Sequence, residues 1–472
     1  MRSRVTSGVF ISLTIILVLA AVSLRCWAAV DLLWLDEIWT LHLLEDVSSP
    51  VEIVTAIHHD NNHYLNTLGL FLTGKDRPWF VYRLPAIVAG VLTVVAAGWI
   101  ARSRGRVTQL TVMTLLSTSY LLIHYGSEAR GYSAAMLFAL LVYETLRQFL
   151  DDRRWQWSVA FSACVSLGLL SHLMFVHVYG AAICWSVARI LSLPASRKQM
   201  AWDLLQLHVV PMALLGLLYW HDIRHLEFGG GPEYSLVPLV VQACSLSLGG
   251  PLSGWLAWVW GGLLVVGIVL GIRLVQRTSR DEVKFLLLVI LLPIIQIVAA
   301  RPLFMFVRYF LFAIVFALLL CGYGLAELAR RGNAGRIVYA ILLLLFISGN
   351  MLYYARLIEH GRGQYLAALE FMAATEPGER LTVSGDHNHG IRKLLQFYTA
   401  YLRQPREVVY YDANDWPAEG PDWLVLHQYA DRAGDPFDDE YVVEGHLYRR
   451  QRIFDTAVLS GWRWHCYQRQ SG

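Results

Sequence analysis

The chain has 472 residues, of which 56% are hydrophobic and only 16% are charged, and its formal net charge is +3. A soluble globular protein is nearer a quarter charged. Long apolar runs recur through the first three quarters of the sequence, so we predict a helical membrane protein that contacts the lipid bilayer. The small net charge argues against a nucleic-acid partner. The six cysteines show no Cys-x-x-Cys spacing, so neither a disulfide framework nor a thiolate metal site is predicted.

Apolar segments near the roughly 20 residues that a helix needs to cross the hydrocarbon recur along the chain. We predict about eleven spans, at residues 9–30, 83–101, 108–124, 133–150, 157–171, 173–190, 204–221, 253–275, 284–300, 303–328 and 335–355. The first run is longer than the apolar core of a signal peptide, which favours an uncleaved helix. Residues 157–190 also fit one long helix, and that alternative would reverse the orientation of everything after it.

Basic residues are concentrated in alternate loops. One set of loops contains Arg2, Arg4, Arg102, Arg104, Arg106, Arg153, Arg154, Arg189, Arg197, Lys198, Arg273, Arg277, Arg280, Arg330, Arg331 and Arg336. The positive-inside rule places this set in the cytoplasm. We therefore predict a multi-pass protein of a cell membrane, with a bacterial inner membrane favoured. Its amino terminus is cytoplasmic, and the loop at 31–82 and the tail after 355 face outward.

The tail differs in composition from the rest of the chain. It is richer in charged residues, and its apolar bursts at 381–383, 423–426 and 441–443 are typical of short strands between turns. We predict a membrane domain over residues 1–355, followed by a small outward-facing α/β domain over residues 356–472.

The first outward loop holds an acidic pair, Asp36-Glu37, followed by a polar cluster at 58–64. Ionisable groups beside a membrane are costly, and they indicate a functional site by default. Helical spacing after Asp36 and a capping box at 49–52 predict two amphipathic helices at the interface, with the site at about 31–82. The alternative for Asp36 is a helix N-cap, which leaves Glu37 and the later cluster unexplained.

Two histidine pairs have a spacing that suits metal ligands. His59 and His63 are four residues apart, but the sequence between them is poor helix sequence, and a hydrogen-bonded polar turn explains them equally well. His221 and His225 are four apart at a helix end, where interfacial polar residues are the alternative. A divalent metal near Glu37, His221 and His225 is therefore one prediction, and no other cofactor is indicated.

Further polar residues occur at the predicted outer ends of the spans. They are Arg83 in an Arg-Leu-Pro-Ala sequence, Glu128, Arg130 and Tyr132 in a Ser-Glu-Ala-Arg-Gly-Tyr turn, His172, and the pair Arg308-Tyr309.

Together these residues resemble the membrane-embedded C-type glycosyltransferases, and among them the protein O-mannosyltransferases and the bacterial aminoarabinose transferases. The resemblance covers residues 9–355 and depends on the order of the motifs on one side of the membrane. It begins with Asp36-Glu37 and ends with Arg308-Tyr309. This chain departs from the family at 62–66, where the family commonly has His-Pro-Pro-Leu-Tyr and this chain has Asn-His-Tyr-Leu-Asn.

The resemblance implies transfer of a sugar from a polyprenyl-phosphate-linked donor to an acceptor that the sequence does not identify. It implies that Asp36 is the catalytic base and that Glu37 lies behind it or on the side of a metal. One carboxylate base is enough for an inverting displacement. Arg130 and Arg308 are then candidate phosphate binders, although an arginine at a helix end also serves as a headgroup anchor. The implied substrate-binding residues are His59, Asp60, His63, Tyr64, Arg83, Glu128, Arg130, Tyr132, His172, Arg308 and Tyr309.

Two other functions compete with this interpretation. A transporter or flippase of lipid-linked saccharides is expected to show internal repeats or broken helices, and the sequence shows neither. A non-enzymatic assembly protein would tolerate the loss of Asp36, whereas a transferase would not.

Overall fold

The structure is a computed structural model, and it describes residues 7–194, 196–231, 234–413, 415–431 and 435–470. Arg2 and Arg4, which the orientation prediction used, lie outside the described residues. The chain forms two compact units: Met1–Ala29 with Asp46–Leu352, here the membrane unit, and Val30–Glu45 with Tyr353–Gly472, here the C-terminal unit.

The helices and strands are numbered in chain order. The helices are α1 (Ser7–Ala28), α2 (Leu35–Leu43), α3 (Glu52–Thr55), α4 (Tyr64–Thr73), α5 (Trp79–Ala101), α6 (Arg106–Thr118), α7 (Tyr120–Tyr125), α8 (Tyr132–Asp152), α9 (Trp155–Ser171), α10 (Val176–Leu191), α11 (Arg197–His221), α12 (Leu236–Ser247), α13 (Gly254–Gln276), α14 (Glu282–Ala300), α15 (Leu311–Leu328), α16 (Gly332–His360), α17 (Tyr365–Thr375) and α18 (Asn388–Thr399). The strands are β1 (Arg380–Gly385), β2 (Glu407–Tyr410), β3 (Trp423–Gln428), β4 (Glu440–Val443), β5 (His446–Phe454) and β6 (Arg463–Arg469).

The prediction of a polytopic helical membrane protein is confirmed. Among the described residues, nine helices are long and apolar enough to cross a membrane. The uncertain stretch at 157–190 forms two separate helices, α9 and α10, and the chain is extended at His172 between them. Of these two helices, only α10 is among the nine. The predicted spans that are missing from the nine are 108–124 and 157–171. The second is a helix of only 17 residues.

The predicted span at 108–124 is wrong as a single helix, because the chain breaks at Ser119. Ser119 has φ −62° and ψ 120°, so α6 ends before it and α7 begins after it. The break leaves the Leu116 carbonyl and the Tyr120 amide without their usual helical partners. Arg25 Nη2 donates to the Leu116 carbonyl at 3.3 Å, and Asn350 Oδ1 accepts from the Tyr120 amide at 2.7 Å. Two buried side chains from other helices therefore satisfy the break.

The centre of the membrane unit is α15, whose residues are buried from Leu311 to Gly324. It packs against α6, α8, α13 and α14. Its contact with α13 is close because small residues line it. A Cβ on Gly271 would lie 2.4 Å from the Leu320 carbonyl oxygen, and a Cβ on Gly267 would lie 2.5 Å from Cys321 Sγ.

The C-terminal unit is built on a six-stranded sheet of order β2-β1-β3-β6-β5-β4. The pairs β1–β2 and β1–β3 are parallel, and β3–β6, β6–β5 and β5–β4 are antiparallel. The short strands predicted at 381–383, 423–426 and 441–443 correspond to β1, β3 and β4, so the small α/β fold predicted for the tail is confirmed.

The C-terminal unit also includes α2, although α2 lies early in the sequence. It packs against α18. The Trp39 ring lies 4.8 Å from the His389 ring, and Lys393 Nζ lies 4.7 Å from the centre of the Trp39 ring. Before α2, the Leu33 carbonyl accepts a hydrogen bond from the Tyr398 hydroxyl. These contacts fix the short helix that carries Asp36 and Glu37.

Candidate active site

A buried polar cluster lies in the membrane unit, here the His63 cluster: His63, Tyr125, Arg130, Tyr132 and His172. The Arg130 guanidinium donates to His63 Nε2, with Nη2 at 2.9 Å and Nε at 3.3 Å. The His63 ring is 4.5 Å from His172 and 5.3 Å from Tyr132. Tyr132 is 4.7 Å from His172 and 5.1 Å from Tyr125. Four of the predicted substrate-binding residues therefore contact one another.

Local sequence explains how these residues meet. His63 is the residue before α4 and belongs to the loop that precedes it. Asn66, in the first turn of α4, donates from Nδ2 to the Ala129 carbonyl at 2.7 Å and so fixes the turn that carries Arg130. The turn approaches the end of α9 closely at Gly131, where a Cβ would lie 1.8 Å from the Ser171 carbonyl oxygen. Only glycine fits there.

The hydrogen bonds assign a neutral form to His63. Its ring bonds to the Ser171 backbone, and Nε2 accepts from Arg130. Burial, followed by the positive charge of Arg308, lowers the pKa of His63 to about 4. Burial also lowers the pKa of Arg130 to about 10, which leaves it charged at neutral pH. The His63 cluster thus presents a guanidinium that a neutral imidazole orients.

His172 has the same character. Its side chain accepts from the Met174 amide at 3.1 Å through Nδ1. Burial lowers its pKa well below the usual value, and the proximity of His63 and the positive charge of Arg130 act in the same direction. Neutral imidazoles and phenols therefore line the space around Arg130.

Arg308 and Glu128 border the His63 cluster. Arg308 lies in a single turn of 3-10 helix, Val307–Phe310, and its guanidinium is 3.8 Å from the centre of the Phe306 ring. It is within electrostatic range of Arg130 and His63. Glu128 is fully buried, and its Oε1 is 3.0 Å from Nε2 of the equally buried His124. Tyr309 is half-buried beside Arg308.

A second polar cluster was missed by the sequence reasoning, which singled out the neighbouring histidines. Asp222 is fully buried and accepts hydrogen bonds from the Tyr64 hydroxyl and from His58 Nδ1, the latter at 2.7 Å. Burial, followed by the Asp222 contact, raises the pKa of Tyr64 well above its usual value. A buried carboxylate flanked by two ring donors is a signal that only the fold reveals, because the partners are 158 and 164 residues away in sequence.

His59 and Glu227 form an isolated parallel β-bridge. The Asp60 amide donates to the Glu227 carbonyl at 2.9 Å, and the Gly229 amide donates to Asp60 Oδ1 at 3.2 Å. His59 Nδ1 is 3.1 Å from the same carboxylate. His59 and His63 do not share a helix, because α4 begins only at Tyr64. Of the two alternatives for His59 and His63, the structure shows a hydrogen-bonded polar turn and not a pair of metal ligands on one helix.

The acidic pair lies in the C-terminal unit. Asp36 is half-buried in the first turn of α2, and Glu37 is buried. Glu37 Oε2 accepts from the Trp34 amide at 3.1 Å, so this carboxylate helps to start the helix. In the membrane unit, Arg83 is fully buried in α5 and donates to the Ala29 carbonyl at 3.0 Å, just beyond the end of α1.

The candidate metal ligands do not share one helix. His221 is the last residue of α11, and His225 belongs to the turn that follows the break at Asp222. Both are exposed. Within the part of the chain that the structure describes, no group of three His, Cys, Asp or Glu side chains has a geometry suited to a metal ion. A metal requirement stays a prediction from the sequence.

Comparison with known proteins places the fold. No family model matches the chain, and no curated protein matches it. Among solved structures, ArnT from Cupriavidus metallidurans bound to undecaprenyl phosphate has a TM-score of 0.53 at 14% identity, covering 96% of this chain and 97% of that one. The apo form of ArnT gives 0.54 at 14% identity, covering 97% of each chain.

The archaeal oligosaccharyltransferase AglB from Archaeoglobus fulgidus, in complex with an inhibitory peptide and a dolichol-phosphate, has a TM-score of 0.51 at 12% identity. The match covers 89% of this chain and 69% of that one. The chain therefore shares its fold with ArnT and AglB. The resemblance seen in the sequence is confirmed at the level of the fold.

Proposed function

We propose that the protein is a membrane glycosyltransferase. It moves a sugar from a polyprenyl-phosphate-linked donor to an acceptor on the outer side of the cytoplasmic membrane. The fold supports this proposal, because two structural neighbours were solved with undecaprenyl phosphate and dolichol phosphate. A fold alone does not define a reaction, so the proposal depends on the chemistry of the His63 cluster.

The observation that carries the proposal is the pair Arg130 and Arg308 in the membrane unit. Arg130 is buried, Arg308 is half-buried, and the two charges are within electrostatic range of each other. Two like charges near each other repel, and a bound anion offsets the part of that repulsion that Glu128 and Asp60 leave. A guanidinium binds phosphate oxygens through directed, charge-assisted hydrogen bonds. A polyprenyl phosphate brings such an anion to the level of the membrane surface.

The reaction that follows is a single displacement. Asp36 accepts the proton of the acceptor hydroxyl, whose oxygen bonds to the anomeric carbon of the sugar. The bond from that carbon to the phosphate oxygen breaks, and the polyprenyl phosphate leaves with the electron pair. Arg130 and Arg308 stabilise the charge that develops on the leaving phosphate. One attack from the opposite face inverts the anomeric configuration.

His63 has a positioning role in this scheme. Its lone pair on Nε2 receives two N–H groups of Arg130, which fixes the guanidinium plane. A neutral histidine orients the cation without neutralising it, so the full charge of Arg130 is available to the phosphate. A carboxylate at the same position would cancel that charge.

The test is transfer of radiolabel from a panel of polyprenyl-phosphate sugars in membranes that contain the protein. We expect Asp36→Asn to abolish transfer, whereas the control Asp46→Asn makes the same change at an exposed position and leaves transfer intact. Activity of Asp36→Asn and Asp36→Ala equal to the wild type would refute the assigned base. No transfer from any donor by a folded protein would favour the transporter or assembly functions.

Arg130→Ala tests the role of Arg130 in phosphate binding, and the folded state of the variant is checked by its Tm. We expect it to reduce kcat/KM about 100- to 1,000-fold and to weaken competition by free undecaprenyl phosphate, as expected for a lost contact to developing charge. Arg224→Ala is the control, because Arg224 is exposed in the same unit. If free undecaprenyl phosphate inhibited Arg130→Ala as strongly as it inhibits the wild type, the phosphate-binding role of Arg130 would be contradicted.

A further inference from the structure

The sheet of the C-terminal unit has a topological switch point between β1 and β3. The chain passes from β1 through α18 to β2 on one side of β1, and β3 then pairs with the other side of β1. In open α/β sheets, ligands bind beyond the carboxyl ends of the strands at such a point. Here β1 ends at Gly385 and β3 ends at Gln428. Asp386, His387, His427 and Tyr429 lie at these ends.

Asp386 fixes His427. Its carboxylate accepts from the His427 amide, with distances of 3.1 Å to Oδ1 and 3.2 Å to Oδ2, and Oδ1 is 2.9 Å from the ring Nδ1. The acceptor on Asp386 assigns the ring proton to Nδ1. Nε2 of His427 is then a hydrogen-bond acceptor.

His387 has the opposite assignment. Its Nδ1 accepts from the Gly390 amide at 3.1 Å and caps the start of α18. The proton of its ring is therefore on Nε2, which is a donor. Burial lowers the pKa of His387, and the proximity of His427 acts in the same direction, which favours the neutral ring.

The two imidazole rings pack against the same tryptophan. Their ring centres are 5.2 Å apart, and the buried Trp462 ring lies 4.8 Å from His387 and 4.7 Å from His427. The indole packs so tightly over the start of α18 that a Cβ on Gly390 would lie 2.3 Å from it. The half-buried Tyr429 ring is 5.7 Å from His427. A rigid aromatic base thus holds one donor and one acceptor side by side.

We infer that this switch-point site, formed by Asp386, His387, His427, Tyr429 and Trp462, binds a neutral saccharide. A hydroxyl group both donates and accepts, so adjacent hydroxyls match the acceptor on His427 and the donor on His387. Aromatic rings with a few convergent polar groups are typical of small-ligand sites.

Other ligand classes fit less well. A phosphate is an anion that mainly accepts hydrogen bonds, so it matches His387 better than His427, and the carboxylate of Asp386 nearby repels it. A metal ion needs several lone pairs that converge, and the described residues contain no group of three ligands with that geometry. The inference rests on the proposed function in one respect only: the bound saccharide would be the carbohydrate part of the acceptor.

The test uses the full-length protein in lipid nanodiscs without donor lipid, so it is independent of transfer. The probes are neutral hexose and N-acetylhexosamine di- and trisaccharides, with inorganic phosphate as the anionic comparison. Binding is measured by saturation-transfer NMR and titration. The variants are His387→Asn and His427→Asn, because asparagine retains the Nδ1 contact of each ring and removes Nε2. His446→Asn is the matched control, at a half-buried position elsewhere in the same unit.

We expect at least one probe saccharide to bind the wild type and His446→Asn, and its affinity to fall tenfold or more in each of the other two variants at unchanged Tm. Equal affinity in all four proteins would overturn the assignment of the site. Binding of inorganic phosphate alone, or of no probe saccharide, would overturn the ligand class. Saccharide binding without transfer in the separate donor assay would refute the transferase function and leave this site intact.

Discussion

Replacing Asn350 with leucine tests how the helix break at Ser119 is maintained. Asn350 is fully buried in α16, where Oδ1 accepts from the Tyr120 amide at 2.7 Å and Nδ2 donates to the Phe346 carbonyl at 2.8 Å. Leucine has a similar size but no polar atoms. The substitution therefore leaves the Tyr120 amide buried without this acceptor.

The expected cost follows from the two hydrogen bonds. The Phe346 carbonyl lies four residues before Asn350 in α16, so it can also accept the helical hydrogen bond from the backbone amide. Losing the hydrogen bond from Asn350 Nδ2 therefore costs little stability. A buried amide that loses its acceptor costs about 1–3 kcal/mol. We expect Asn350→Leu to destabilise the membrane unit by that amount. Because α7 leads directly to the turn that carries Arg130, we also expect a loss of transfer activity.

The assay is unfolding of the purified protein in mixed micelles, followed by circular dichroism and by transfer activity in the same preparations. Asn333→Leu makes the same substitution at an exposed position in the first turns of the same helix, and its stability is expected to match the wild type. An Asn350→Leu variant as stable as Asn333→Leu would show that the Tyr120 amide finds another partner, which would refute the account of the break.

Three further outcomes are expected. Because the pKa of His63 is lowered to about 4 from an ordinary 6.5, the unfolded chain binds a proton that the folded chain does not. The stability is complete above about pH 6.5 and falls by about 3 kcal/mol as the pH drops toward 4. His63→Gln keeps an acceptor for Arg130 and should remove most of this loss of stability at low pH, measured as the free energy of unfolding across pH. An unchanged loss of stability in the variant would exclude His63 as its source. Tyr64→Phe removes one donor to the buried Asp222 and should lower the free energy of unfolding by about 1–3 kcal/mol in denaturant titrations, and a neutral effect would mean that the carboxylate is satisfied otherwise. Gly271→Ala should destabilise the protein in thermal unfolding, because a Cβ there would lie 2.4 Å from a backbone oxygen. Gly262→Ala, on the same helix, meets nothing within 4 Å and should stabilise the protein by up to about 1 kcal/mol. A change in stability of the same sign for both variants would contradict the packing of α13.

The sequence predicted the membrane helices well because each span is a local property. An apolar run of about 20 residues has one stable conformation in lipid, whatever lies elsewhere in the chain. The break at Ser119 was not predictable in the same way. Its neighbours include no proline or glycine, and the groups that satisfy it lie 91 and 230 residues away in sequence, on Arg25 and Asn350.

The same distinction applies to the site. From the sequence, Arg130, His63 and His172 are candidate site residues because of their motifs, and the fold brings them into contact. The motifs do not indicate that a neutral His63 accepts hydrogen bonds from Arg130. The sequence reasoning singled out the flanking histidines and not Asp222, because a carboxylate at a helix end is usually exposed. Only the fold shows that Asp222 is buried beneath Tyr64 and His58, which donate to it. Burial and partners are properties of the fold, and here they decide which of several polar residues is structurally important.

The placement of α2 gives the C-terminal unit a role in catalysis under the proposed mechanism. Asp36 lies on a helix that α18 holds through Trp39, His389 and Lys393. The chain before α2 is fixed as well, because Asp31 Oδ2 accepts from the Arg362 amide at 2.7 Å. A base must be held within a fraction of an ångström of its productive position. The C-terminal unit supplies that rigidity, so its sheet and α18 are part of the framework that positions the proposed catalytic carboxylate.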